Sequence, residues 1–468
     1  MSAAAVPRAQ AALLLSAASG MGVSLILTAA AGRRSEVAGF AVFALAGAFI
    51  ALARDLLDLG TTAVTVRSAL ADPGGERRAF DQLLAWRLMA ALPLALACLG
   101  YLALQPDADG RMLIALTALT VLAMHSNGLI AAFQLHERLE VPALVNIAVQ
   151  LCTLVLVAAL WSRLDDPRAP VLLLLGREIA IVALLHVAAR KMLGFLPHVR
   201  LSDLRPALFF SVTSRYAAAA FAFHTILHSG TFLLRLMVPT EAFAAYAAAF
   251  RLMSTAFSLP WLLTAPLVPG FVRAADSPLT FQTMFDGQMV PALVLASALA
   301  AAGAVVTPDI LQFVYDGRFL TGAESAVAPM RWLMLAFVGV AAASVRAPAL
   351  LALGWEAGLL RLAASAALLT AISLTALAFT RGIAGAAAGI ALGALAAGLA
   401  PVGPAIARLP IHTRTLAALV AAPALAALAA SAWPLTSGLP RIAAAGISAL
   451  AIGLAAARLA QAPMAADA

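Results

Sequence analysis

The sequence predicts an all-α polytopic membrane protein of about fourteen transmembrane helices, and three observations carry that prediction. Hydrophobic residues make up 63% of the 468-residue chain, charged residues only 11%, and the mean hydropathy is +0.98. Soluble domains hold about one-half apolar and one-quarter charged residues, so a water-facing fold has no place for this much apolar surface. The apolar residues recur in runs of about twenty, the length that crosses a hydrocarbon layer about 30 Å thick, and the charges gather between the runs.

Taken in order, apolar runs and their charged or Pro/Gly breaks place spans over 10–31, 37–59, 84–105, 112–134, 141–161, 170–189, 207–237 and 242–267. Six more follow over 288–307, 327–354, 358–380, 383–407, 416–434 and 441–460. The first run, behind Arg8, exceeds the roughly 7–15 apolar residues of a cleavable signal and reads as a span. The segment 190–206 is the richest in charge and falls after six spans, which predicts an N-terminal lobe over 1–196 and a C-terminal lobe over 197–407. Residues 408–468 then add two helices and a short tail. Two six-helix lobes around a central cavity, with two extra C-terminal helices, is the expected architecture.

Charge sets the orientation. The chain carries 30 Lys and Arg against 22 Asp and Glu, a balance that would suggest nucleic acid in a soluble protein but here reports topology. With the N-terminus cytoplasmic, Arg67, Arg77, Arg78, Arg87, Arg190, Lys191, Arg200 and Arg205 all lie in inside segments, and inside basic residues outnumber outside ones. Both termini are expected in the cytoplasm of a bacterial inner-membrane protein. Inside loops too short for a nucleotide-binding domain, and the lack of any G-x-x-x-x-G-K-[ST] run, exclude ATP as the direct energy source. Cys98 and Cys152 both sit in apolar runs, so neither a disulfide framework nor a thiol metal site is expected, and nothing calls for a cofactor.

Six arginines fall within spans: Arg54, Arg177, Arg215, Arg235, Arg251 and Arg346. At about 2.5–3.5 kcal/mol each, all six facing lipid would cost more than a typical fold's stability, so they must snorkel, pair or face water. Arg251 is followed by Ser254, Thr255 and Ser258 at i+3, i+4 and i+7, one polar stripe that lines a cavity or bonds a neighbouring helix. His224 and His228 share a face with Thr231 and Arg235, suited either to moving protons or to neutral hydrogen bonding. Arg235 is placed to reach outer headgroups, and Arg215 to snorkel inward.

Arg54 has Asp55 and Asp58 nearby for a local ion pair. Arg177 and Glu178, near the centre of a span, point in different directions along the helix, so each is expected to seek a partner elsewhere. Glu178 is the carboxylate nearest mid-membrane, a candidate for coupling to H+ or Na+ or for a fixed interhelical salt bridge. Arg346, followed by Pro348, fits either use. Asn146, Gln150 and Thr153, and Thr120, Asn127 and Gln134, form uncharged stripes suited to interhelical bonding or to recognising sugar hydroxyls. Gly382, Gly385 and Gly389 suit close helix packing.

Four segments carry a family resemblance: Asp58-Leu59-Gly60-Thr61-Thr62-Ala63-Val64; Ala245-Tyr246-Ala247-Ala248-Ala249-Phe250-Arg251-Leu252 with Pro266 and Pro269; Thr307-Pro308-Asp309-Ile310-Leu311 with Tyr315-Asp316-Gly317-Arg318-Phe319; and Gly382-Ile383-Ala384-Gly385-Ala386-Ala387. In order and placement the chain resembles the polysaccharide transporter and oligosaccharide flippase branch of the MOP (multidrug/oligosaccharidyl-lipid/polysaccharide) superfamily. The resemblance implies two six-helix bundles around a cavity that opens alternately inward and outward, with cationic residues attracting a lipid-linked diphosphate. A tyrosine followed by a basic residue is common in the eighth span of that family, so the role carries over most directly to Arg251; Arg54, Arg177 and Arg346 match no fixed family position.

The expected function is therefore a non-enzymatic flippase. It takes an undecaprenyl-diphosphate-linked oligosaccharide to the periplasmic leaflet for O-antigen, lipopolysaccharide or exopolysaccharide assembly, with membrane lipids and a polysaccharide polymerase as partners. The substrate-binding candidates are Arg251, Arg54, Arg177, Arg346, Ser254, Thr255, Ser258, Asn146 and Gln150; the coupling candidates are Glu178, His224 and His228. A drug or cation antiporter on the same architecture, a peptidoglycan-precursor flippase and a membrane glycosyltransferase or polymerase remain as alternatives.

Overall fold

The computed structural model describes residues 5–58, 75–105, 108–136, 138–194, 198–199, 206–264, 267–321, 324–400, 413–432 and 438–461, together with 61, 65 and 69. Its regular structure, among these residues, is entirely helical. Eleven helices are long and apolar enough to cross a membrane, so the chain is a polytopic all-α membrane protein. Contacts divide it into two compact units, Met1–Phe221 and Ala222–Ala468.

The first unit contains α1 (Ala5–Arg34), α2 (Val37–Asp58), α3 (Glu76–Gly100), α4 (Ala108–Ala123), α5 (Ile130–Leu135), α6 (Glu140–Ala159) and α7 (Arg168–Leu193). A 3₁₀ segment, Met124–Leu129, joins α4 to α5 and holds Ser126, Asn127 and Gly128. The tighter winding admits Gly128, where the side chain of Arg87 passes. α7 ends at Gly194, whose φ of 73° is the left-handed cap that glycine supplies without strain. α8 (Pro206–Met237) spans the division between the units.

The second unit continues with α9 (Thr240–Thr264), α10 (Val268–Ala274), α11 (Pro278–Val305), α12 (Thr307–Tyr315), α13 (Val327–Ala352), α14 (Glu356–Leu399), α15 (Thr413–Ala432) and α16 (Leu439–Gln461). Gly382, at φ 57° and ψ −144°, breaks α14 into two passes that fold back on one another. The fold-back is close: any side chain at Gly385 or Gly389 would collide with the backbone of Leu377 or Leu374. α13 packs as tightly on α14, since Gly339 abuts the backbone of Ala394 and Gly398 that of Gly339. With α14 counted twice, each of the fourteen apolar runs in the sequence overlaps a helix.

The residue distribution is that of a protein dissolved in lipid. Some helix contacts are built from small residues, as in the ladder Ala422, Ala426 and Ala430 of α15 against Ala445 and Ala449 of α16. Many large apolar side chains, such as Leu428, Ile447, Leu368 and Phe379, point outward. Lipid tails are as apolar as leucine, so helix association here draws on close packing and not on hiding leucine from water.

Ion pairs fix the helix ends. Arg34 meets Asp165 at 2.8 Å and Arg168 meets Asp109 at 2.6 Å in the first unit. His136 bonds Glu76 at 2.9 Å, and the buried Asp81 carboxylate accepts the His198 backbone N–H at 2.7 Å. In the second unit, Arg441 on α16 reaches Asp309 at 3.2 Å, holding the last helix to the first turn of α12.

Candidate functional site

The candidate residues gather in three places, one in the first unit and two in the second. The first is an ionic cluster between α2 and α7. Glu178, 3% exposed at its side chain, accepts from Arg177 Nε at 3.1 Å and Nη2 at 2.7 Å, and from Arg54 Nη2 at 2.8 Å, all on Oε1. This corrects one sequence expectation. Arg177 and Glu178 do meet, because the guanidinium lies at the end of a long flexible arm that bends around the helix far enough to undo the divergence of adjacent Cβ atoms. Arg54 bonds across to α7, while the side chains of Asp55 and Asp58 lie outside the described residues. Arg177 is almost fully buried, whereas the Arg54 side chain is 56% exposed. Glu178 thus anchors one buried and one accessible guanidinium.

The second place is the polar face of α9 with the facing turns of α8. Arg251 lies half-buried, and the hydroxyls that follow it turn back onto the helix: Ser254 donates to the Arg251 carbonyl at 3.0 Å, Thr255 to the same oxygen at 3.4 Å, and Ser258 to Thr255 O at 2.7 Å. Donor hydrogens spent on the local backbone leave the hydroxyl oxygens as acceptors. One turn earlier, the Tyr315 hydroxyl of α12 donates to the Ala248 carbonyl at 2.9 Å, tying α12 to this helix beside Arg251.

An aromatic ladder adjoins the stripe. Tyr246 stacks on Phe250 with centroids 5.9 Å apart, Phe250 stands edge-on to His228 at 5.6 Å, and His228 lies 6.4 Å from His224. Gly230 makes room for the ladder, since a Cβ there would strike the Tyr246 hydroxyl. Arg235, expected to reach headgroups, sits over the Phe243 ring at 5.9 Å. The side chain of Arg215 is outside the described residues.

The third place is around Arg346, which is 3% exposed and donates from Nη1 to the Gly398 carbonyl at 3.3 Å. It borders a cavity of about 20 Å³ whose other walls are Phe223, Leu359, Leu362 and four alanines. The uncharged stripes of the first unit bond largely within their own helices. Asn146 donates to the Pro142 carbonyl of its own helix, and Gln150 packs where Gly20 lets α1 approach α6. Thr120 and Thr153 likewise bond carbonyls one turn back.

Sequence reasoning counted Arg87 with the inside charges at the start of the 84–105 span, but α3 begins at Glu76, and Arg87 is an interior residue, 4% exposed. Its Nε donates to Thr61 Oγ1 at 3.2 Å, reaching into the Asp58–Val64 segment that carried part of the family resemblance. The polar run Asp81-Gln82 hid the helix start; the signal that finds it is Glu76, an acid in a first turn followed by helix-forming residues. Among the described residues, no three His, Cys, Asp or Glu side chains gather to hold a metal.

No protein-family model matches this chain, and no curated protein matches it in sequence. Solved structures do match in fold. The chain is similar to the lipid II flippase MurJ in an inward closed conformation, with a TM-score of 0.72 at 10% identity, over 96% of this chain and 98% of that one. It is similar to a MATE transporter of Vibrio cholerae (TM-score 0.52, 16% identity, 84% of this chain and 94% of that one). A MOP superfamily transporter from Pyrococcus furiosus gives a TM-score of 0.53 at 14% identity over 83% and 93%. The class is therefore plain: this is a multi-pass membrane protein with the fold of the MOP superfamily. Within that fold the similarity to the lipid II flippase MurJ extends over nearly the whole of both chains.

Proposed function

We propose that the protein is a flippase for a polyprenyl-diphosphate-linked saccharide, carrying the headgroup outward from the cytoplasmic leaflet of a bacterial inner membrane for surface polysaccharide assembly. The observation that carries the proposal is the charge chemistry at membrane depth. Arginines at spans outnumber carboxylates, and Glu178, the mid-span carboxylate, is taken up by Arg54 and Arg177. A drug or cation antiporter needs a carboxylate available to its cargo; an anionic diphosphate needs guanidiniums, which pair with phosphate through their planar fork.

Arg251 is assigned the diphosphate, with the acceptor oxygens of Ser254, Thr255 and Ser258 facing sugar hydroxyls. Within the first unit, the accessible Arg54 guanidinium, held in place by Glu178, is a separate candidate for an anionic headgroup. His224 and His228 are assigned to coupling with H+. The lipid tail stays in the bilayer. An inside-negative potential favours outward movement of a dianion by about 4.6 kcal/mol at 100 mV before any counter-charge is counted, so no nucleotide hydrolysis is required.

The fold similarity to a lipid II flippase favours a second reading, transfer of the peptidoglycan precursor. The two separate in one experiment: the gene is deleted, Arg251→Ala is expressed in its place, and lipid-linked intermediates and surface polysaccharide are measured. Deletion is expected to deplete surface polysaccharide while the cytoplasmic-leaflet intermediate accumulates, and Arg251→Ala to give the same phenotype at normal expression. Rescue of cells depleted of their lipid II flippase would favour the second reading; full export by Arg251→Ala would remove Arg251 from the mechanism.

A further inference from the structure

We infer that Glu178 is an internal competitor: a tethered carboxylate that holds the Arg54 guanidinium, yields it to the diphosphate group of a lipid-linked cargo and takes it back when that cargo leaves. The inference rests on the flippase reading above and adds to it the residue that sets how tightly the first unit grips an anion. It gives Glu178 a part different from the coupling to H+ or Na+ expected from its position in the sequence.

Geometry marks the bond that is exchanged. Both guanidiniums use one carboxylate oxygen, Oε1: Arg177 donates from Nε at 3.1 Å and Nη2 at 2.7 Å, and Arg54 from Nη2 at 2.8 Å. Burial separates the two. The Arg177 side chain is 6% exposed and shares α7 with Glu178, whereas the Arg54 side chain comes from α2 and is 56% exposed. An anion therefore meets Arg54 without entering the buried pair. When Arg54 turns away, Glu178 keeps Arg177 as its counter-charge, so the exchange leaves no unpaired carboxylate at depth. Arg54 also stands one turn from the end of α2, where a long side chain ordinarily extends toward headgroups; it is bonded instead to a mid-span carboxylate.

The chemistry of the exchange is balanced. Carboxylate and phosphate oxygens accept from a guanidinium in the same way, so one charge-assisted bond replaces another. Transport needs this balance, since a site must bind well enough to load and weakly enough to release. A resident carboxylate meets both demands: it compensates the guanidinium when the cargo is absent, and it stands ready to replace the cargo on release.

The test measures equilibrium binding and dissociation of radiolabelled farnesyl diphosphate on the purified full-length chain, with inorganic pyrophosphate as a second probe. Glu178→Gln is expected to tighten binding of farnesyl diphosphate about fivefold, the strength of a half-exposed ion pair, mainly through slower dissociation, even as its melting temperature falls. A purely structural role would weaken binding instead. In an Arg54→Gln background the same change is expected to give no gain, so the two effects are non-additive. Should Glu178→Gln fail to fold, Arg177→Gln combined with Glu178→Gln removes both buried charges, leaves Arg54 in place and is expected to show the same tightening. Unchanged or weaker binding in these variants, or a gain that persists without Arg54, would overturn the inference. So would a gain for pyrophosphate with none for farnesyl diphosphate, which assigns the exchange to a soluble anion. Diphosphate binding that needs Arg251 and is indifferent to Glu178 would overturn this inference and leave the flippase reading standing; no binding in the parent or in any variant would overturn both.

Discussion

At the scale of single residues, the decisive fact is where arginine charge goes in a protein that has little water to dissolve it. Glu178 collects two guanidiniums, and removing a partner from a buried ion pair costs about 3–5 kcal/mol, because the remaining charge stays buried. Glu178→Gln is therefore expected to lower thermal stability sharply, and Arg177→Gln combined with it to recover part of the loss. A double-mutant cycle read by thermal melting checks this: additive effects would mean that the pair is not coupled. Arg87 makes the complementary case. Its buried bond to Thr61 predicts that Arg87→Ala destabilises by about 1–3 kcal/mol, more than replacement of the exposed Arg381, with urea or thermal unfolding of the two variants as the comparison. Neither partner choice is legible locally. The bond from Arg54 to Glu178 spans 124 positions of sequence, and only the packing of α2 on α7 brings the two together.

At the scale of elements, small residues set the helix separations. Any Cβ at Gly339 would run into the backbone of Ala394, which cannot move aside as a flexible side chain does, so Gly339→Ala is expected to cost about 1–3 kcal/mol. Gly446 in α16 has open space around its missing Cβ, and Gly446→Ala is expected to gain about 0.5–1 kcal/mol from helix propensity alone. Melting temperatures of opposite sign for two chemically identical substitutions would establish that contact, and not glycine as such, decides the outcome. The sequence placed these helices well, since a run of twenty apolar residues has one stable form in lipid. It erred at helix starts such as Glu76, where polar residues continue a helix past the membrane edge and the hydropathy signal ends early.

At the scale of the whole molecule, charge asymmetry predicts orientation. Single cysteines replacing Arg138 and Asp165 are expected to react with an impermeant thiol reagent from opposite sides, position 138 only after the cytoplasmic face is opened, on a background lacking Cys98 and Cys152. Labelling of both from one side would contradict the proposed orientation. By itself the sequence determined the solvent, the helical class, the number of apolar runs and the excess of guanidinium over carboxylate, because these follow from counting residue types against the thickness and polarity of a bilayer. The tertiary structure alone decided which arginines share Glu178, that the hydroxyls after Arg251 turn onto their own helix, and that Arg346 meets the Gly398 carbonyl. Those outcomes depend on distances between helices that are remote in sequence, and hydropathy and periodicity describe each helix only with respect to its own axis.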